Sequence, residues 1–502
     1  MAARKSVVLV TVDCLRSDRV GFLGHDCATT PFLDSIARES CVVPAAIAAG
    51  SPTYYSFPAT FASRSPLGLG RDILGLAPGE ATLASVLQGA GFATAAFSAA
   101  NPYISPRFGY DQGFDTFHDF LETAPVVAGA AAAGSGKGSR INRALASTSH
   151  RLGPLGAAYD ELYFQYCQRL AAPPAGSFAD LRRFPSADVI VDHANAWLGS
   201  IGDSPFFLWL HLMDPHAPYY PSKEALAATG VSDMTTTRAR YLNSFWNRSD
   251  VGVNRLRRYR DAVLGLYDAG VRWVDMQLER LVESLRELER WDACVFAVTA
   301  DHGEEFLDHG GRFHPPIGLF EETVHVPLLL RVPGVITSTQ SKSPFSLLHL
   351  APTLLGAVGI PSPPEFTGNN YWPQFEAGAS WNEPAIVECV AGCTNPFWPE
   401  HRSGPRILAV REERYKLILY FDPSRELLFD LEADPRELAP LPVAAEKPVR
   451  RRLLERARAH LAAKRDEKAR LRARMRDLRL EWTNPDAKTV APSVGVPSAN
   501  SA

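Results

Sequence analysis

The stretch from Val295 to His314, VFAVTADHGEEFLDHGGRFH, limits the folds open to this chain more than any other. Val295, Phe296, Ala297 and Val298 form an unbroken apolar run. That is the pattern of a strand covered on both faces, and such strands belong to parallel sheets flanked by helices. The run ends in Thr299, Ala300, Asp301, His302, Gly303, Glu304 and Glu305. Open α/β sheets collect ligands at the carboxyl ends of their strands, so a hard carboxylate beside an imidazole there points to a divalent metal.

The remaining chain is read against that site. Its 502 residues give room for one large domain and a smaller appendage. A formal charge of -3 argues against general affinity for nucleic acid. Arg4 and Lys5 precede an apolar run that stops at Thr11 and Asp13, too short for a secretory segment. No stretch approaches the ~20 apolar residues of a membrane-spanning helix, so no membrane partner is expected. The seven cysteines are odd in number and scattered, which fits reduced thiols and a cytoplasmic location. Cys389 and Cys393 have no partner ligands nearby in sequence, which argues against a zinc site there.

Ser6 to Thr11 reads as the first buried strand and delivers Asp13 at its end. A helix follows over Thr30 to Ser40, and Pro58 to Ala62 reads as a helix start with proline in its first turn. Thr82 to Gly89 is a helix, and Ala93 to Ser98 and Phe206 to Leu210 are strands, the latter leading into HLMDPHAPY. Apolar spacing from Arg255 to Trp291 predicts one long helix feeding the Val295 strand. A strand over Val326 to Val332 and a helix over Leu347 to Val358 complete this region. Residues 121–185 differ in character and read as an insertion; Gly134 to Ser139 lacks the spacing of a phosphate loop and reads as a linker. The domain reading is therefore 1–387 for the α/β body, 388–449 for a small antiparallel subdomain, 450–482 for a charged helix and 483–502 for a disordered tail. The charged helix reads as docking by a thin apolar stripe, with contact to a second copy of the chain as the alternative.

Asp13, Asp301 and His302 supply two oxygens and one nitrogen, a set suited to Mn²⁺, Zn²⁺ or Mg²⁺. A hydroxyl near such a cation loses its proton more easily and can attack phosphorus or sulfur, and Thr53 is placed to be that hydroxyl. Each residue alone has a plainer reading: Asp13 and Asp301 as helix caps, Thr53 as a turn hydroxyl, His216 and His314 as structural histidines.

Taken in order, TVDCLRSDRVG, TTPFLDSIA, TAAFSAANPYISPRFGYDQGFDTF, FLWLHLMDPHAPYYP, TADHGEEFLDHGGRFH, HVPLLLRVPG and RYKLILYFDPSRELLFDLEADPREL resemble the sulfatase branch of the alkaline phosphatase superfamily. The resemblance implies an α/β sandwich with a central, mostly parallel sheet and a small C-terminal antiparallel sheet. It implies a divalent cation (Mn, Zn, Mg or Ca) held by Asp13, Asp301 and His302 with Thr53 beside it. Cys14 stands where a second acidic ligand is often found. His314 falls where the family places a group on the substrate's charged oxygens, and His216 where a histidine contacts substrate and protonates the leaving group. Asn101 is a candidate for substrate binding. The family's Cys-x-Pro-x-Arg type motif is here Thr53-Tyr54-Tyr55-Ser56-Phe57. A threonine cannot yield formylglycine, so phosphorus chemistry on a small-molecule ester through a Thr nucleophile is expected. The alternatives are a sulfuric ester hydrolase without formylglycine and a catalytically silent metal-binding regulator.

Overall fold

The computed structural model describes residues 4–71, 74–122, 161, 162, 164, 165, 176–335 and 341–477, without the side chains of 399 and 464–477. Gly134 to Ser139, most of the 121–185 insertion, residues 478–482 of the charged helix and the tail lie outside the described residues.

Seven strands form the main sheet: β1 (Ser6–Val12), β2 (Cys41–Val42), β3 (Ala93–Ser98), β4 (Thr116–His118), β5 (Phe206–Leu212), β6 (Cys294–Ala300) and β7 (Leu328–Arg331). They lie in the order β2-β7-β6-β1-β5-β3-β4. The five from β6 to β4 are parallel, while β7 runs against β6 and β2 against β7. Every residue of β1, β5 and β6 is buried, as their apolar runs require once helices cover both faces. Register fixes the site: Val12 pairs with Leu212 on one side and with Ala300 on the other. Asp13 and Asp301 therefore leave neighbouring strands at the same level.

Helix α1 (Pro31–Ala37) begins at a proline, and its Phe32 and Leu33 amides donate to the buried Asp275 carboxylate at 3.0 and 2.9 Å. That carboxylate lies on the long helix α4, introduced below, and its negative charge suits a helix N-terminus. Helix α2 (Thr53–Ala62) starts five residues before the proline expected to open it. Pro52 O accepts from both Tyr55 N and Ser56 N at 2.8 and 3.2 Å, which closes the first turn ahead of Pro58. All ten residues of α2 are buried, and that packing offsets the amide donor Pro58 lacks. Helix α3 (Ala187–Ser200) covers β5 and β3.

The single long helix expected from Arg255 to Trp291 is divided. Val253–Leu256 is a short helix, Arg257–Tyr259 a 3-10 turn, and α4 runs Arg260–Glu287. Glu289 at φ 55 ends it, with Arg290 N donating back to Leu285 O at 2.8 Å. Val326 to Val332 is likewise split, because Pro327 offers no amide. His325–Val326 pairs with Ala46–Ile47, and β7 pairs with β6.

The small sheet is a four-stranded meander, β8 (Ala385–Val390), β9 (Arg406–Arg411), β10 (Tyr415–Phe421) and β11 (Ser424–Asp430). It begins at Ala385, inside the stretch read as the α/β body. Helix α5 (Lys447–Asp477) lays Val449, Leu453 and Ala457 on Leu408, Val410, Leu417 and Leu428. Lys416 of β10 is fully buried between Glu321 at 2.9 Å and Glu437 at 3.0 Å, joining this sheet to the main body. No described helix is long and apolar enough to cross a membrane. The described cysteines are free thiols.

Candidate active site

The ends of β1 and β6 and the start of α2 meet at one point. Asp13, Asp301 and His302, all buried, bring one ligand atom each within 4.8 Å of one another. His302 Nδ1 lies 2.8 Å from Gly303 O, and since a carbonyl only accepts, that nitrogen carries the proton. Nε2 is left with its lone pair, 3.6 Å from Asp13 Oδ1 and 3.5 Å from Asp301 Oδ2. The Thr53 hydroxyl donates to the same Nε2 at 3.1 Å. Thr53 is the first residue of α2, so the positive end of the helix lies at the hydroxyl.

Asp13 is held on both sides. Its Oδ2 accepts from Asn101 Nδ2 at 3.0 Å and faces His211 Nε2 at 3.3 Å, while Oδ1 accepts the Cys14 thiol proton at 3.1 Å. Burial raises its pKa, but the imidazoles of His216, His211 and His302 outweigh that and hold it well below the ordinary carboxylate value. Asp301 goes the other way: burial, then the Asp13 charge beside it, raises its pKa. Asp301 Oδ2 and Glu304 Oε1 are buried and accept no hydrogen bond. Two crowded carboxylates, an imidazole lone pair and orphaned buried oxygens are a donor set that fits a divalent cation.

The expected residues all come to this place, with differing contacts. His216 donates Nδ1–H to Ala217 O at 2.5 Å and stands with its ring centroid 5.1 Å from that of His314. His314 Nδ1 is 3.4 Å from both Cys14 Sγ and Glu304 Oε2, and its ring is 4.5 Å from that of His302. Asn101 spends its amide nitrogen on Asp13 and its oxygen on Tyr103 N at 3.0 Å, so both ends of its amide are engaged inside the protein. Phe57, in the position of the family's arginine, is buried against Phe61, Tyr110, Trp209 and His211.

Three participants had weaker sequence signals. His211 lies inside the apolar run FFLWLHL, and that lone imidazole was the available clue. Glu304 is fully buried beside His314 and Cys14, whereas Glu305 accepts from the amides of His309 and Gly311 at 3.0 and 2.6 Å. Cys14 holds the left-handed conformation at φ 62, uncommon for a residue with a side chain. Burial, with Glu304, Asp13 and Asp301 nearby, pushes its thiol pKa well above the ordinary value. Asp214, two residues from His216, binds Ser186 Oγ and Ala187 N at 3.0 and 2.9 Å and so caps α3. Arg16 is clamped by Asp18 and Asp308, each at 2.8 Å, and donates to Glu304 O at 2.9 Å.

Fold and site together define an α/β protein with a carboxylate and imidazole cluster, of a kind that fits a divalent cation, at the carboxyl ends of a parallel sheet. The chain belongs to the sulfatase family, whose profile matches residues 5–360, and the profile described as N-sulphoglucosamine sulphohydrolase, C-terminal, matches residues 312–465. Among curated proteins it is similar to the endo-4-O-sulfatase of Bacteroides thetaiotaomicron, at 27% identity over 50% of each chain. Arylsulfatase K of Bos taurus shows 27% identity over 49% of this chain and 50% of its own. The choline-sulfatase of Rhizobium meliloti shows 30% identity over 41% of this chain and 37% of its own. The chain thus spans about half the length, or less, of these curated relatives. Among solved structures, the phosphonate monoester hydrolase of Agrobacterium radiobacter matches with a TM-score of 0.64 at 18% identity, over 92% of this chain and 96% of that one. A protein solved with its substrate D-glucosamine-2-N,6-O-disulfate matches with a TM-score of 0.63 at 17% identity, over 92% and 98%. The fold is the alkaline phosphatase-like one these proteins share.

Proposed function

We propose that the chain is a metal-dependent hydrolase of phosphate- or sulfate-type esters, cleaving by preference a phosphoester or phosphodiester through Thr53. The observation that carries this reading is the 3.1 Å contact of Thr53 Oγ1 with His302 Nε2, within the group formed by Asp13, Asp301 and His302. Those three residues would hold the cation. When bound, a divalent cation polarises the ester oxygens and eases loss of a hydroxyl proton.

Thr53 attacks in line with the leaving group, and the N-terminus of α2 favours the negative charge its oxygen takes on. His314 stands against the charged oxygens of the ester. His216, its Nδ1–H held by Ala217 O, acts in its doubly protonated form and gives the second proton, on Nε2, to the departing alkoxide. Water then displaces the group from Thr53; an alcohol in its place makes the site a group transferase.

The methyl on the threonine Cβ supports phosphorus chemistry, because oxidation to formylglycine needs a primary carbon there. So does the likeness to a phosphonate monoester hydrolase. A second reading, sulfuric ester hydrolysis with Thr53 acting directly, is favoured by relatives named as sulfatases. The test is a metal-supplemented assay on matched aryl sulfate, phosphate monoester, phosphodiester and phosphonate ester, run beside Asp301→Ala. Turnover of a phosphorus ester that vanishes in the variant supports the first reading, and turnover of sulfate alone replaces it with the second. Silence on all four with metal bound favours a silent metal-binding protein.

A further inference from the structure

We infer that Cys14 supplies a sulfur ligand to the cation of this site, so that the centre favours a thiophilic ion such as Zn²⁺ over Mg²⁺ or Ca²⁺. The inference deepens the proposed metal-dependent reading and rests on it.

The Cys14 sulfur lies beside the Asp13 corner of the group formed by Asp13, Asp301 and His302. Cys14 Sγ is 3.1 Å from Asp13 Oδ1, Asp13 Oδ1 is 3.6 Å from His302 Nε2, and His302 Nε2 is 3.5 Å from Asp301 Oδ2. Tetrahedral zinc, with Zn–S near 2.3 Å and Zn–N and Zn–O near 2.0–2.2 Å, needs nitrogen and oxygen donors about 3.3–3.6 Å apart and sulfur about 3.5–3.7 Å from each, so the Cys14 thiol moves a few tenths of an ångström off Asp13 when it exchanges its proton for the ion. Cys14 also groups with His302 and His314, and with Asp13 and His216, each set having its ligand atoms within 4.8 Å. No other residue takes part in this cluster with a soft donor among the described residues, and Cys14 is the member common to both of those sets.

Independent features agree. Asp301 Oδ2, at one corner, is buried and accepts no hydrogen bond. Cys14 adopts a left-handed backbone at φ 62, a conformation that costs a side-chain-bearing residue energy and recurs where function fixes a side chain. Soft thiolate donors select zinc and its chemical neighbours, while carboxylate and carbonyl sets suit magnesium and calcium. On coordination the S–H bond is replaced by an S–metal bond and the proton leaves to solvent.

The test uses the full chain, stripped of metal and loaded with one equivalent of Zn²⁺ or Co²⁺. X-ray absorption of the zinc form is expected to show one sulfur scatterer at about 2.3 Å beside nitrogen and oxygen. The cobalt form is expected to show a thiolate-to-cobalt charge-transfer band that disappears in Cys14→Ser while one equivalent of Co²⁺ stays bound. A shell of nitrogen and oxygen alone, or a band that survives Cys14→Ser, overturns the inference and leaves the metal-dependent reading standing. Failure of the wild-type chain to bind either ion overturns both, and metal analysis tells the two failures apart. The zinc spectrum needs no variant, so poor folding of Cys14→Ser does not shield the inference.

Discussion

The Thr53 hydroxyl hydrogen-bonds His302 Nε2 across 3.1 Å although the two residues are 249 positions apart in the chain. The contact aims the hydroxyl at the start of α2 into the nitrogen expected to hold the cation. Thr53→Ala is therefore expected to lower kcat by on the order of a thousandfold or more while leaving bound metal unchanged. Thr53→Ser, which keeps the oxygen, is expected to retain part of the rate. Steady-state kinetics with metal analysis on both variants decides the matter; full activity in Thr53→Ala removes threonine from the nucleophile role.

His216 is oriented through Nδ1 by Ala217 O, leaving Nε2 for proton transfer. A general acid matters most when the leaving group is a poor one. His216→Ala is expected to slow esters of alkyl alcohols by about 10²–10⁴-fold and esters of acidic phenols much less. A plot of rate against leaving-group pKa, steeper in the variant than in the wild type, is the expected outcome. Parallel plots would assign His216 to binding alone.

Lys416 is fully buried, with Glu321 and Glu437 at 2.9 and 3.0 Å. Removing the cation leaves the buried Glu437 carboxyl without its countercharge and leaves Glu321 only Arg411 at 3.7 Å and His325 at 3.6 Å. Lys416→Met is expected to cost roughly 3–5 kcal/mol in chemical denaturation, in line with breaking a buried ion pair. The loss should be smaller when Glu437 is changed to Gln as well, because one stranded charge is then gone. A loss under 1 kcal/mol would show that the contact between the small sheet and the body does not depend on this lysine.

His309 gives the pH dependence. Burial lowers its pKa, but Glu322 Oε1 at 2.7 Å outweighs that and raises it to about 9. Its folded value lies above the ordinary 6.5, so the stability from this pair is full below pH 6.5 and is lost as pH rises through about 9. Glu437 is also raised, to about 7, by burial. It acts in a lower window, reducing stability as pH climbs from its ordinary 4.5 toward 7. Unfolding midpoints are expected to fall between pH 7 and 9.5 in the wild type, and to fall less in His309→Gln. Equal slopes would remove His309 as the source.

The sequence by itself determined the strands and what stands at their ends. β1, β5 and β6 are read correctly because residues buried on both faces must be apolar without interruption. Asp13 and the Asp301–His302 pair are visible because hard polar groups break those runs at once. The tertiary structure decided which groups face each other. The pairing of Val12 with Ala300 and Leu212 brings Asp13 and Asp301 to one level, with His211, paired to Thr11, just behind them, and register depends on strands nearly two to three hundred residues apart. The early start of α2 follows from Pro52 O closing its first turn, a contact that proline-based punctuation does not reveal. Nothing in the sequence around Glu304 and Lys416 marks their charges for burial, yet both are fully buried in the fold. Whether a charge can be buried depends on partners through space, as Lys416 depends on Glu321 and Glu437.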